Sequence, residues 1–230
     1  MRSAFHFFSM VLFCLVAVGC TNKEPEERAA FIAWLQTQVI DAPDARLPDL
    51  DETQRDALGD YDNQYAELRA VDSVVQEQIL NLANAFEHEA LTSLAQLRSR
   101  QDMLRADRQT LVTTQQALHQ AQAHAQAERA KWEQPADLLP VYARAYDKIV
   151  TQPVAVLDAL TKTALAVLDD TLRVADFLAQ HENQITIVDD SASVQDPSVQ
   201  QELNQLLDIL NGHAEALRRA QSQLQTLQLH

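Results

Sequence analysis

The chain has 230 residues and a formal net charge of −15 at pH 7, and only 3 of its residues are glycine. This acidic balance argues against nucleic-acid binding and against unaided binding to anionic lipid. Because glycine is scarce, few positions suit left-handed turns or bulges, and the composition favours helices.

The N-terminus has the organisation of a bacterial lipoprotein signal peptide. Arg2 precedes an apolar run over residues 4–18, which ends just before Cys20. The small residues that a lipoprotein peptidase requires before the cysteine are Ala17, Val18 and Gly19. The apolar run has about 15 residues, whereas a membrane-spanning helix needs about 20. We therefore predict cleavage after Gly19 and lipidation of Cys20.

Cleavage divides the chain into a signal peptide (1–19), a lipidated tether (20–24) and a single helical-bundle domain (25–230). The mature protein then has 17 Lys and Arg against 33 Asp and Glu, a formal charge of −16. Cleavage also removes Cys14, so no thiol remains once Cys20 carries a thioether. Acyl chains such as palmitate provide the membrane attachment, because each buried methylene contributes about 0.8 kcal/mol.

Residue 21 bears on the destination of the lipoprotein. Thr21, rather than Asp, follows Cys20. By the sorting rule of enteric bacteria this favours the outer membrane, with the protein on the periplasmic side. The periplasmic side of the inner membrane is the alternative.

Prolines delimit the first helices. Pro25 suits the first turn of a helix whose apolar stripe is Ile32, Leu35 and Val39. An extended connection follows over 42–50. Asp51 and Gln54 then form a capping-box pattern that opens a long helix. Its apolar row continues to Phe86 and is interrupted at Asp72.

A seven-residue repeat runs through the middle of the chain. Its members are Leu97, Leu104, Leu111, Leu118, Ala125 and Trp132. Such a narrow apolar row buries one edge of a helix and leaves the other faces polar. If residues 92–133 are helical throughout, they span roughly 60 Å. A turn within 87–93 would fold this helix back into a long hairpin, and one unbroken rod is the alternative.

The C-terminal third contains the most apolar segment. Pro135 ends the long helix, Asp137 or Gln134 caps a short one, and Pro153 starts the apolar helix. Residues 184–195 have alternating β-branched character and predict a small β-hairpin. Asp196 and Pro197 start a last helix. The predicted fold is therefore all-α: an elongated antiparallel helical bundle with a long hairpin.

Two stretches resemble a known family. They are Ala30 to Val39 (AFIAWLQTQV), followed by Arg46-Leu47-Pro48, and Asp137 to Pro153 (DLLPVYARAYDKIVTQP). Together with Cys20, they are similar to the YiaF-like family of uncharacterised Gram-negative lipoproteins. The similarity covers roughly 22–60 and 134–160 and is weak over 85–133. The resemblance implies a cell-envelope lipoprotein and carries no catalytic residues.

No motif in the sequence predicts a metal, a cofactor or an enzyme. The histidine and carboxylate groups lack the spacing of helical ligand pairs, as in Glu87-His88-Glu89 and in His119 with His124. Asp189, Asp190, Ser191 and Asp196 lack the glycine and distal glutamate of a calcium loop. A nucleophile elbow and a phosphate-cradling loop are also missing from the sequence.

One local concentration of basic residues stands out in this acidic chain. It consists of Arg98, Arg100, Arg105 and Arg108. These side chains form a candidate partner-binding face. The spacing of Asp102 from Arg98 and Arg105 equally suits ion pairs on a solvated helix surface.

The sequence leaves two functions open. The first is an envelope scaffold or adaptor that is anchored to the membrane by acyl chains and binds an envelope protein. The second is a periplasmic ligand-binding module or hydrolase with a cleft between helices. The second requires a pocket lined by tyrosines at 61, 65, 142 or 146.

Overall fold

The computed structural model describes residues 22–43, 46–89, 93–188 and 191–228. Helix α1 (Glu24–Trp34) has Pro25 in its first turn, as predicted, and continues into a π-helical turn, Leu35–Ile40. Phe31, Leu35 and Val39 form its buried face. Ile32, which the sequence placed in the stripe, is only partly buried.

The second helical segment is broken where the sequence predicted a continuous helix. Helix α2 (Glu52–Leu58) begins with the expected capping box between Asp51 and Gln54. A 3₁₀ turn, Gly59–Tyr61, separates it from α3 (Asp62–Glu89). Gly59 has φ of 54°, and a Cβ atom there would lie 2.2 Å from the Glu27 side chain. Only glycine fits this turn without displacing Glu27.

The middle of the chain folds back as a helical hairpin. Helices α4 (Leu94–Ser99) and α5 (Gln101–Arg129) follow α3, and α5 packs antiparallel along it. Near the far end of the pair, Gln134 Nε2 donates to Gln64 Oε1 at 2.7 Å. The hairpin is thus formed, although α4 and α5 are separated at Arg100 and α5 ends before Pro135. Five members of the seven-residue row, Leu97, Leu104, Leu111, Leu118 and Ala125, are buried, and the sixth, Trp132, lies beyond α5 and is partly buried.

A continuous helical run forms the central element of the bundle. It comprises α6 (Leu138–Tyr146), a π-helical turn (Asp147–Thr151) and α7 (Gln152–Gln180). Asp137 caps the run by accepting from the Leu138 N–H at 3.0 Å. Pro153 therefore does not begin a separate helix. The wider π turn relieves the clash of the proline ring with the preceding helical turn.

The C-terminal elements cover α7. Strands β1 (Ile185–Val188) and β2 (Ser191–Val194) form the predicted antiparallel hairpin, with Ile185 opposite Val194. Helix α8 (Pro197–Gly212) is capped by Asp196 and packs on α7. Helix α9 (Ala214–Gln228) packs against α3 and α7, and a turn at His213 separates it from α8, where the sequence predicted a single last helix. The fold is all-α, with α3, α5, α7 and α9 as its main helices and one small β-hairpin.

Over the part of the chain that the structure describes, no helix combines the length and hydrophobicity that crossing a membrane requires.

Candidate binding cleft beside Asp72

An open groove of about 490 Å³ lies between α3 and the connection that precedes α2. We name it the Asp72 cleft. Its polar lining residues are Arg46, Arg69, Asp72, Ser73 and Gln76, and its apolar ones are Leu47, Ile79 and Leu80. Most of these residues come from successive turns of α3 and the others from residues 46–47, so the cleft depends on how the connection lies on the helix.

Asp72 attaches the connection to α3. Its Oδ2 accepts from the Leu47 backbone N–H at 3.1 Å, and its Oδ1 accepts from Gln76 Nε2 at 3.3 Å. Only 8% of the residue is exposed. Burial raises the pKa of this carboxyl, while the two hydrogen bonds and the nearby arginines act in the opposite direction. Both oxygens are engaged by the protein itself.

The rim of the cleft carries positive charge. Arg69 forms an ion pair with Asp49, and the two side chains are 37% and 81% exposed. Arg46 is exposed on the opposite wall. In a protein with a large acidic excess, Arg46 can bind a carboxylate or other anionic group, and Arg69 can do so in place of its pair with Asp49.

The floor of the cleft becomes apolar towards the middle of α3. Leu80 is 62% exposed there, next to the buried Ile79. Ile79 also lines a small adjoining recess of about 40 Å³. The other apolar residues of this recess are Val75, Ile149, Pro153 and Leu227. The Asp72 cleft is therefore amphipathic, with an arginine-lined end and an aliphatic end.

The wall of the cleft is held by contacts to its backbone. Lys148 Nζ donates to the carbonyl oxygens of Ile40 at 3.2 Å and Ala42 at 2.6 Å. The Tyr65 hydroxyl donates to the Pro48 carbonyl oxygen at 2.9 Å. These bonds satisfy backbone acceptors at the end of the first helical segment and, at Pro48, within the connection, whose path they hold.

Comparison with known proteins places the chain in a family. The family model described as "Protein of unknown function (DUF3053)" matches residues 8–225. The chain belongs to the DUF3053 family. It is 29% identical over 230 residues to the "Uncharacterized protein YiaF" of Escherichia coli (strain K12), covering 95% of this chain and 94% of that protein. The protein of the same description from Shigella flexneri gives the same values. No solved structure matches the chain.

The two stretches that resemble the DUF3053 family pack against each other. Phe31 and Tyr142 have ring centroids 6.2 Å apart, and Lys148 binds the backbone after Val39. Both stretches contain a π-helical turn, and these turns are in contact. They support the connection that forms one wall of the Asp72 cleft. The resemblance to YiaF-like proteins is confirmed by the family match.

Three of the four tyrosines belong to one aromatic cluster, and Tyr65 packs edge-on against Trp34 with ring centroids 6.0 Å apart. Tyr61 stacks on Phe31 with centroids 5.4 Å apart, and Tyr142 lies 6.4 Å from Tyr146. The Arg129 guanidinium sits 4.8 Å from the centre of the Tyr146 ring. Burial raises the pKa of Tyr65 to about 12. Tyr65 lines a groove beside Arg69.

The candidate arginine face is partly used in packing between helices. Arg105 bonds Asp176 at 2.6 Å and Arg108 bonds Asp169 at 2.5 Å, both on α7. The bond to Asp169 raises the pKa of Arg108. The Asp102 contact expected from the sequence spacing is present at 3.5 Å from Arg105. Arg98 and Arg100 are exposed at the α4 end of the hairpin.

The remaining predicted site residues are the lipidation and cleavage residues, the carboxylates near 189 and the histidines. Cys20 and the cleavage residues Ala17, Val18 and Gly19 lie outside the described residues, as do Asp189 and Asp190. His119 pairs with Asp158 at 2.7 Å and His124 with Glu67 at 3.6 Å, in two separate contacts. Within the described ranges, no three His, Cys, Asp or Glu side chains are grouped so as to hold a metal ion.

Sequence reasoning did not identify the Asp72 cleft. The one signal was the interruption of the apolar row at Asp72, because a carboxylate at a buried helix position needs a partner. That partner is a backbone N–H 25 residues earlier in the chain. Spacing within a single helix carries no information about such a contact.

Proposed function

We propose that this DUF3053 protein is a lipid-anchored, periplasm-facing lipoprotein of the outer membrane that binds a segment of another envelope protein. The anchor rests on Cys20 and the three small residues before it. The protein-binding part rests on one observation, the open amphipathic cleft beside Asp72. A peptide segment with a carboxylate next to an apolar side chain fits its arginine rim and aliphatic end.

The contacts of Asp72 support binding rather than catalysis. A general acid or base must reach the substrate proton, and Asp72 is only 8% exposed, with its oxygens accepting from Leu47 and Gln76. Arg46 and Arg69 at the rim are suited to recognition of anions through paired donors. We therefore propose an adaptor role and no enzymatic activity.

A small-molecule ligand is the second candidate. The volume of about 490 Å³ lies within the usual range for ligand sites. The open shape of the groove and its exposed Leu80 favour an extended peptide, because an enclosed ligand would be surrounded on more sides.

Site-specific photo-crosslinking in living cells tests the cleft. A photoreactive residue at Ser73, exposed in the cleft, is expected to form an adduct with a discrete envelope protein. Asn84 is the matched control, because it is exposed on the same helix about three turns away and does not line the cleft. Arg46→Glu with Arg69→Glu is expected to abolish the adduct and to weaken binding of the purified partner. Adducts from Arg98 or Arg100, with none from Ser73, would contradict the cleft and favour the arginine face.

Metabolic labelling with a palmitate analogue tests the anchor. The natural chain is expected to incorporate the label and to fractionate with the outer membrane, and Cys20→Ser is expected to lose the label. Ser substitution at Thr21 is the matched control, because it keeps Cys20. Persistent labelling of Cys20→Ser would refute the anchor.

A further inference from the structure

We propose that the basal end of the bundle rests on a zwitterionic phospholipid surface, with Leu139 as its apolar contact, so that the long axis stands away from the membrane. The basal end is defined by Glu24, Tyr61, Asp137 and Leu139. This inference rests on the proposed lipid anchor at Cys20 and adds to it an orientation and a lipid contact.

Contacts among the first residues of three segments define the basal end. The Tyr61 hydroxyl donates to Glu24 Oε1 at 2.6 Å. Arg28 lies 3.3 Å from Glu24 and 3.3 Å from Asp137. The starts of α1, α3 and α6 are therefore neighbours at one end of the bundle. Leu139 lies in the first turn of α6, directly after this contact.

The tether is too short to leave the basal end free of the membrane. Cys20 and Glu24 are four residues apart, and a fully extended chain spans at most about 3.6 Å per residue, or roughly 14 Å here. The described helix begins at Glu24 itself. Acyl chains on Cys20 therefore hold Glu24, and with it the basal end, close to the headgroups.

The basal end presents an apolar side chain where the tether brings it to the membrane. Leu139 is 50% exposed and is followed by the exposed Pro140. Leu80 and Ile209 are also exposed, at 62% and 52%, and they lie farther along the bundle. Leu80 is about 28 Å along α3 from Tyr61. Ile209 lies about one helical turn before His213, which contacts Asp170. Asp170 is about 50 Å from Leu138 along the central helical run.

The net charge of the basal end favours zwitterionic over anionic headgroups. The acidic residues at this end are Glu24, Glu26, Glu27, Asp60 and Asp137, against Lys23 and Arg28, and Arg28 is already paired with two of these carboxylates. This net negative charge is repelled by anionic headgroups and tolerates zwitterionic ones. The contact therefore depends on the acyl anchor and on apolar burial of Leu139 and Pro140.

Single cysteines provide the test, because the lipidated mature chain has no other thiol. Leu139→Cys, Leu80→Cys and Ile209→Cys are each labelled with a fluorophore on lipidated protein in phosphatidylethanolamine and phosphatidylcholine vesicles with a nitroxide on the lipid headgroup. The three sites are similarly exposed apolar positions, so they are matched. Quenching is expected to be strongest at 139, weaker at 80 and lost at 209. Adding phosphatidylglycerol at low salt is expected to reduce the quenching at 139.

The outcomes separate the orientation from the anchor. If the protein fails to float with the vesicles, the lipid anchor of the proposed function is refuted. If it floats and quenching is equal at the three sites, or strongest at 209, the orientation is overturned while the anchor stands. If phosphatidylglycerol strengthens the quenching at 139, the assignment of a zwitterionic surface is overturned.

Discussion

Asp72 carries a charge at a position where the helix periodicity requires an apolar side chain. The position is almost fully buried, and an ionised carboxylate loses hydration there. Its hydrogen bonds from Leu47 and Gln76 recover part of that loss. Asp72 therefore destabilises the buried face of α3 but holds the connection in place through the Leu47 N–H. The cleft forms because the connection is held there.

The pH dependence of stability is expected to change in Asp72→Asn. Burial raises the pKa of Asp72 above its value in the unfolded chain, about 3.9. Between the two pKa values the native state binds more protons, so this carboxyl contributes less to the free energy of unfolding as pH rises. Asn has no charge and still accepts from the Leu47 N–H. The stability of Asp72→Asn relative to the natural chain is expected to increase as the pH rises above about 4, until the native carboxyl is fully ionised.

Urea unfolding across this pH range measures the difference. Asp56→Asn, on the exposed surface of α2, is the matched control for the loss of one carboxylate. A relative stability of Asp72→Asn that stays constant or falls with pH would show that hydrogen bonding, rather than burial, controls this carboxyl.

At the scale of elements, two π-helical turns position the connection that builds the cleft. In the second turn, the Gln152 N–H bonds the Asp147 carbonyl five residues earlier, just before Pro153. In the first, the Asp41 N–H bonds the Gln36 carbonyl in the same way. Lys148 joins the two turns by binding the carbonyls of Ile40 and Ala42. The start of the connection is therefore held by the Lys148 side chain, which lies more than a hundred residues later in the sequence.

Lys148→Met is expected to loosen the connection without unfolding the bundle. It keeps the length of the side chain and removes both hydrogen bonds from a charged donor, which is expected to cost about 1–3 kcal/mol. Amide hydrogen exchange should increase at Leu47, whose N–H bonds Asp72. Lys162→Met, at an exposed position on α7, is the control. Equal exchange at Leu47 in both variants would mean that Lys148 does not hold the connection.

Local signals in the sequence predicted most elements of this fold. The capping boxes and caps at Asp51, Asp137 and Asp196 are formed as expected, because they depend on residues at most a few positions away. The breaks at Gly59, Arg100 and His213 and the continuity through Pro153 were not predicted. Gly59 adopts a φ of 54° where the Glu27 side chain lies over it, and the continuity depends on a π turn. Both depend on packing between segments, as does the Asp72 cleft.

At the scale of the molecule, the long hairpin is a part of the core and does not project from it. Helix α7 packs against both α3 and α5, and α9 lies on α3 and α7. Leu111 of α5 is fully buried, and Leu224 of α9 is 3% exposed. Between α3 and α7, Gln78 Nε2 donates to the Thr161 hydroxyl oxygen at 2.8 Å, a buried polar contact in an otherwise apolar interface. Since every long helix contacts α7 or α3, residues 25–230 are expected to unfold as one unit.

Leu111→Ala and Leu224→Ala test this cooperativity from opposite sides of the bundle. Each removes a buried side chain, and each is expected to lower the free energy of unfolding by about 2–5 kcal/mol. In a single domain, both changes shift the same transition, as seen by coincident melting of helical and aromatic circular dichroism. Ile209→Ala, at a half-exposed position, is the control and is expected to change stability by less than about 0.5 kcal/mol. Two separate transitions, each sensitive to one variant, would instead show that α9 and the hairpin fold independently. The chain would then contain two folding units that meet at α7.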